Sequence, residues 1–407
     1  MIAGLHYSPE PTGNAPYTSG LASGLVQRGV KTKVITGFPH YPEWRRREGY
    51  DGWEMSEQID GVPVRRLNHF VPSNPRGLAR LWMEVSFGLR LATARWGRPQ
   101  TVVLVSPALF STGLALLRAR LTRQKAPVVV WVQDIYSLGM TETGESGAAG
   151  ARAMRWVESA VLRSADGVVV IHDRFRTYLE THLNVDAARV KVVRNWTHLK
   201  PFVLQDRAAS RVSLGWNSDD IIVLHAGNMG AKQGLDNVVE AARVVERRGS
   251  RVRFVLVGDG NQRPRLEQMA KGSVAISFID SLPGERFQEA LAAADVLLVN
   301  ELPGVKEMSV PSKLTSYFSA GIPVLAATDA GSVTAAELAN AQAGLRVDPG
   351  TPEALVAGAE ALAADPELSS RLARNGRLFM ETTLSENHAV AQYHQYLTHL
   401  VAGPHPE

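Results

Sequence analysis

Short apolar, β-branched runs alternate with amphipathic helical stretches along almost the whole chain. In the first half the candidate strands are Lys33–Thr36, Thr101–Ser106, Pro127–Val132, Gly167–Ile171 and Val190–Val193. In the second half they are Ile221–Gly227, Val252–Gly258, Ala275–Phe278, Asp295–Asn300 and Pro323–Ala327. Runs that are apolar at every position and separated by helices predict strands covered on both faces. That is the signature of parallel sheets in α/β layers. The pattern occurs twice, and the irregular polar stretch from Lys200 to Asp220 marks the joint. The expected domains are therefore 1–200 and 201–385, and a last helix over about 386–402 could pack on either.

Length agrees with this division, since 407 residues exceed one ordinary core and predict two domains of roughly 180 to 200 residues. Hydrophobic content of 45% and charged content of 21% are those of a globular protein without a spanning helix. No apolar run reaches the roughly 18 residues a membrane span needs, and no cleavable signal pattern is visible, so the cytoplasm is the expected compartment. The first strand, in "MIAGLHYSP", is very short, so the expected translation start lies further upstream or the strand is simply brief. The absence of cysteine excludes disulfides, thiolate catalysis and Cys-ligated metals. A formal charge of +4 suits anionic ligands without identifying one. The stretch 76–98 concentrates five arginines (76, 80, 90, 95 and 98) among Leu, Trp, Met, Val and Phe. Such an amphipathic, basic and aromatic element points to an anionic membrane face, or to an ordinary helix with solvated Arg tips. No cluster typical of nucleic-acid readers is present.

In open α/β sheets ligands bind beyond the carboxyl ends of the strands, so the chemistry is sought there. Strand 221–227 runs into "AGNMGAKQGLDN", where Gly227, Gly230 and Gly234 allow a tight turn, Lys232 lies among backbone N–H groups, and a helix follows from about Leu235. "GDGNQ" after the next strand lacks the third glycine and the distal acid of a dinucleotide fingerprint, which excludes a nicotinamide site. Strand 295–300 leads to "ELPGVKEMSVPSK". There Ser309 is a candidate N-cap, Pro311 suits the first turn, and Gly321 closes the helix. Lys313 falls in that first turn, where the helix dipole disfavours a cation unless an anion sits beside it. A helix N-terminus with a lysine is a phosphate cradle. In the first half, Gly13 follows the first strand, His40 and Tyr41 follow the second, and Asp134 and Tyr136 follow the strand ending at Val132.

In combination, "GLHYSPEPTGNAPYTSGLASGL", "TGFPHYPEW", "WVQDIYSLGM", "RNWTHL", "HAGNMGAKQGLDNVVEAA", "VGDGNQRPRLE", "AADVLLVN" and "VPSKLTSYFSAGIPVLA" resemble the retaining glycosyltransferases of family four. The likeness spans nearly the whole chain. It is closest to the bacterial branch that builds capsule, colanic-acid-like and O-antigen polysaccharides. It implies the GT-B architecture, two Rossmann-like domains facing across a cleft, with the last helix crossing back to the first domain. It also implies a nucleotide diphosphate sugar as donor, bound mainly by the C-terminal domain, and a glycan or lipid-linked acceptor on the N-terminal one. Carried over by position, Gly13, Gly227, Asn228, Glu307, Ser309, Val310 and Ser312 would bind the donor. Lys232 and Lys313 would neutralise its diphosphate, Asp134 is a candidate base, and His40, Tyr41 and Tyr136 would face the acceptor.

This chain departs from the family pattern in several places. Asn228 stands where most relatives carry Arg, and Gln233 where they carry Lys, so Lys232, one place earlier, takes the phosphate role. The family's two glutamates would fall on Met308 and Ser316; Glu307 stands next to the first position. Asp134, preceded by Gln133, occupies the place of a His. The implied reaction moves a sugar to a hydroxyl with retained configuration, and a donor phosphate oxygen takes the acceptor proton. No metal or cofactor is expected, and no Asp/His cluster with ligand spacing is evident. The alternatives are a nucleotide-sugar 2-epimerase of the same architecture and a non-catalytic nucleotide-sugar-binding protein.

Overall fold

The computed structural model describes residues 1–11, 13–73, 77–122, 126–138, 148–196, 206–304 and 312–402. The chain forms two compact units, Met1–His198 with Ser385–Glu407, and Leu199–Leu384.

In the first unit the strands are β1 (Ile2–Gly4), β2 (Val34–Gly37), β3 (Glu54–Ile59), β4 (Val62–Leu67), β5 (Val102–Val105), β6 (Val128–Val132), β7 (Gly167–Val170) and β8 (Val190–Val192). Their order is β3-β4-β2-β1-β5-β6-β7-β8. β1 pairs in parallel with β2 (Ile2 opposite Val34) and with β5 (Ile2 opposite Val103). Among the described residues only β3 runs antiparallel, against β4. That hairpin has no counterpart among the expected strands. The outer strand, "EMSEQI", carries the charge that edge strands tolerate, while β4, "VPVRRL", lies between β3 and β2 and holds its proline at the second residue.

The helix expected within 76–98 spans Gly77–Thr93, so Arg95 and Arg98 lie beyond it. It buries Met83, Glu84, Phe87, Gly88 and Leu91 and leaves Leu78, Trp82 and Leu89 exposed. The last helix, Glu386–Ala402, belongs to this unit. Ala389, Val390 and Tyr393 join the core with Leu21 and Leu25 of helix Ala15–Gln27. A Cβ on Gly24 would stand 2.8 Å from Val390 Cγ2, so this glycine lets the two helices approach closely.

The second unit contains β9 (Ile221–Ala226), β10 (Val252–Val257), β11 (Ile276–Ile279), β12 (Val296–Asn300), β13 (Val324–Ala327) and β14 (Gly344–Val347). They form a parallel sheet in the order β11-β10-β9-β12-β13-β14. Val223, Phe254, Leu256, Val296 and Leu298 enter one core cluster. Their strand neighbours Ile222, Leu224, Val255, Val257, Leu297 and Val299 enter the other. Alternate side chains thus bury on opposite faces, which is why these strands read as unbroken apolar runs. β14, "GLRV", has no counterpart among the expected strands; it is an edge strand that carries an arginine and lacks that signal. The helix after β9 spans Asp236–Arg248, preceded by a short 3₁₀ turn, Ala231–Gln233.

Candidate active site

Each sheet has a point where the strand order reverses, and ligand crevices open there. In the second sheet it lies between β9 and β12. The turn after β9 begins at Gly227, whose φ of +138° suits glycine. The neighbouring turn after β10 is packed against it: a Cβ on Gly258 would stand 2.0 Å from the Gly227 carbonyl oxygen. Two backbone bonds hold the turns together, Gly227 N–H to Val257 O at 2.8 Å and Met229 N–H to Asp259 O at 2.8 Å. Asn228, expected at the donor, has its amide beside Gly230 and Gly260, with room only because both lack a Cβ. Gln233 Oε1 accepts from Gly230 N–H at 3.0 Å, so it braces the turn.

Lys232 is exposed on the 3₁₀ turn, and its carbonyl accepts from Leu302 N–H at 2.9 Å, tying the turn to the end of β12. Lys313 is the second residue of helix Ser312–Ala320. That helix is held to β9 by Ala226 N–H donating to Tyr317 Oη at 2.9 Å. Lys313 Cε comes within 3.8 Å of where a Gly227 Cβ would stand. Burial, then the Lys313 charge, hold the His225 imidazole well below its usual pKa, leaving it neutral beneath the turn. Glu301 is buried, and its carboxylate accepts from the Thr328 and Thr334 hydroxyls, which makes it a brace. Of the expected donor residues, Glu307, Ser309 and Val310 lie outside the described residues, as does the Ser312 side chain.

The first sheet reverses between β1 and β5. A small cavity there is lined by Leu5, His6, Asn14, Trp44, Arg80 and Glu84, among others. Gly13, which precedes the lining Asn14, has φ +66°, and a Cβ there would touch the Tyr41 ring at 3.4 Å. The expectation that His40 faces the acceptor is corrected by the structure. It is 1% exposed, its Nδ1 bonds Phe38 O at 2.9 Å, and burial lowers its pKa. The β2 loop turns the ring inward, a choice that residue type does not reveal. The half-buried Tyr41 lies nearer the surface. Tyr136 donates its hydroxyl to Glu84 and lies 5.3 Å beneath the Arg80 guanidinium. Asp134 Oδ1 accepts from the Ile135 N–H at 2.9 Å.

Two buried carboxyls escape sequence reasoning, because each comes from a helix rather than a strand end. Glu158 accepts from Tyr136 N–H at 2.8 Å and Ser137 N–H at 3.0 Å, fixing the β6 loop. Burial pushes both Glu158 and Glu84 up to about 7. The fold also gathers a cluster that spacing does not show, with possible ligand atoms of His6, Glu10 and His40 within 4.8 Å of one another. Both Glu10 oxygens are already engaged, by His6 Nδ1 and by the His40 and Tyr41 N–H groups, so the cluster acts as a loop brace.

Two parallel-sheet Rossmann-like units of this kind define the GT-B class of glycosyltransferase architecture. A "Glycosyl transferase 4-like domain" model matches residues 12–196, and "Glycosyl transferases group 1" matches 206–379. The chain belongs to this glycosyltransferase family. It is 30% identical over 414 residues to WcaI of Escherichia coli K12, named for colanic acid biosynthesis glycosyl transfer, covering 97% of this chain and 98% of that one. It is 28% identical to the alpha-D-kanosaminyltransferase of Streptomyces kanamyceticus, over 54% of this chain and 57% of that one. Among solved structures, Anabaena Alr3699/HepE in complex with UDP superposes with a TM-score of 0.68 at 16% identity, covering 98% of this chain and 99% of that one.

Proposed function

We propose that the protein transfers a sugar from a nucleotide diphosphate sugar to a hydroxyl of a glycan or lipid-linked acceptor in cell-surface polysaccharide synthesis, with retention at the anomeric carbon. The observation that carries this is Lys313, set in the first turn of its helix and reaching the Gly227 turn at the reversal point of the second sheet. As the bond from the anomeric carbon to the phosphate oxygen breaks, negative charge grows on the departing nucleoside diphosphate. Lys313, Lys232 and the N–H groups of the turn are positioned donors for that charge, and such preorganisation is the largest single term in many enzymes. The charge is met by the chain's own cations, so the reading requires no metal or cofactor. The polysaccharide context rests on the name of the Escherichia coli relative, and the donor class on the UDP bound by the Anabaena neighbour.

A thermal-shift screen of UDP-, GDP- and dTDP-sugars should single out one nucleotide. Selective binding at a hundredfold excess over Kd stabilises the folded chain by about 2.7 kcal/mol. No shift with any of the three would refute the donor assignment. Release of a free isomerised sugar without acceptor would favour the epimerase instead.

A membrane-bound acceptor would suit the surface around helix Gly77–Thr93. Leu78, Trp82 and Leu89 are exposed there, Arg90 stacks over the exposed Trp53 at 3.7 Å, and Arg95 and Arg98 are exposed nearby. No helix among the described residues is long and apolar enough to cross a membrane. Wild type should float with liposomes of anionic lipid, and the triple variant Trp82→Ser, Arg95→Glu, Arg98→Glu should not. Equal flotation of the two would dismiss the membrane contact.

A further inference from the structure

We propose that the first unit binds an anionic membrane phospholipid in a groove at the amino ends of β1 and β5, its phosphate held by Lys31, Lys33 and Arg98. The groove measures about 940 Å³, within the size range of sites that hold small molecules. It lies at the opposite end of the sheet from the Gly13 turn, because Ile2 and Val103, paired near the start of β1 and β5, both line it. Substrate crevices of α/β sheets open beyond the carboxyl ends of the strands. The groove is therefore separate from the candidate active site, and it is built by the first unit alone.

Its floor is apolar. Ile2, Leu25, Val30, Val103, Leu397 and Val401 supply it, from β1, helix Ala15–Gln27 and the turn after it, β5 and the last helix. Val401 is exposed and Val30 and Leu397 are half-buried, so apolar surface is left in contact with water. An alkyl chain laid there gains affinity with each methylene it buries.

The rim is cationic and lacks a counter-charge. Lys31, Lys33 and Arg98 line the groove, and among the described residues no acidic side chain lines it and none of the three cations has an ion-pair partner. Arg65, by contrast, is paired with Glu54. Lys33 is already placed, since its ammonium donates to the Trp96 carbonyl. Gly97 leaves room for it, because a Cβ there would stand 3.1 Å from Lys33 Nζ. Burial, then the Arg65 charge, lower the Lys33 pKa, and an anion in the groove offsets both.

A free anion would leave the floor wet, and a hydrocarbon alone would leave the cations unmatched. A phosphate that carries an alkyl chain satisfies both. The choice of the bilayer as its source rests on the membrane contact read for helix Gly77–Thr93, because exposed Arg98 belongs to both surfaces. The groove itself depends neither on that contact nor on the transferase reading.

The test uses the full chain and needs no activity. Calorimetric titration compares octyl phosphate, kept below its micelle concentration, with octanol and with inorganic phosphate. Octyl phosphate should bind at least about tenfold more tightly than either, since each carries half of the recognition. The double variant Lys31→Glu, Arg98→Glu, at two exposed positions, should weaken it about tenfold or more. Thr398→Trp, at an exposed lining position of the last helix, fills the groove and should do the same without a change of charge. Equal binding of octanol or of inorganic phosphate overturns the proposal, as does octyl phosphate binding that neither variant weakens. Trp82→Ser, outside the groove, should leave that binding within about twofold. A tenfold loss there would place the ligand on the helix face and overturn the groove, while the flotation of vesicles still decides the helix contact by itself. In a second arm, native mass spectrometry follows incubation with vesicles of phosphatidylcholine and phosphatidylglycerol. One phosphatidylglycerol per chain is expected on wild type and none on Thr398→Trp; none on wild type, or equal retention by both, rejects a bilayer lipid as the occupant.

Discussion

Replacing Lys313 by alanine is expected to lower sugar transfer by two orders of magnitude or more and to leave the melting temperature unchanged within about two degrees. Removing one donor to a developing anion costs about a hundredfold to a thousandfold in turnover. Stability should not suffer, because a cation in the first turn of helix Ser312–Ala320 opposes the dipole by a few tenths of a kcal/mol. Lys313→Arg keeps the charge and should recover part of the loss, whereas Lys232→Ala, on an exposed turn, should cost less than Lys313→Ala. The measurement is steady-state transfer with the nucleotide sugar identified by thermal shift. A change below about twofold for Lys313→Ala would remove the diphosphate assignment, since it would mean no loss of transition-state stabilisation.

The second large effect falls on the fold of the donor loop. Gly258→Ala would place a Cβ 2.0 Å from the Gly227 carbonyl oxygen, at a φ of +137° that side chains rarely adopt. The backbone term alone is about 1–3 kcal/mol, and the contact adds to it because Gly227 is pinned to Val257 by a 2.8 Å hydrogen bond. A loss of this size lowers the melting temperature by roughly 5–10 °C in a unit of about this length. Gly249→Ala is the control: its φ is +62° and no atom lies within 4 Å of the added carbon. It carries the strain without the collision and should melt nearer to wild type. Should Gly258→Ala melt no lower than Gly249→Ala, the packing of the two turns would not be the constraint argued here.

The candidate site was legible where one residue type and one strand end suffice. The glycines of the 227–234 loop and Lys313 at a helix start are local features, set by turn geometry and the helix dipole. His40 failed for the opposite reason. Its position after β2 is local, but the side on which its ring lies depends on Glu10, thirty residues away, capturing the His40 and Tyr41 amides. Glu84 and Glu158 gave no signal at all. Each sits on an amphipathic helix, where a carboxylate reads as solvated until the packing of Tyr136 and Ser137 against it is known.

The chain's own pattern determined the two-part α/β plan. Continuous apolar runs between helices can be buried only in sheets covered on both faces, and that rule holds without tertiary information. The outer hairpin β3–β4 and the edge strand β14 escaped it: they carry polar or charged residues among their apolar ones, so they lack the buried-strand signature. Only the tertiary structure settled where the last helix docks and which groups meet at the reversal of each sheet. Those are contacts between segments far apart in the chain, fixed by side-chain packing and by the capture of buried polar groups.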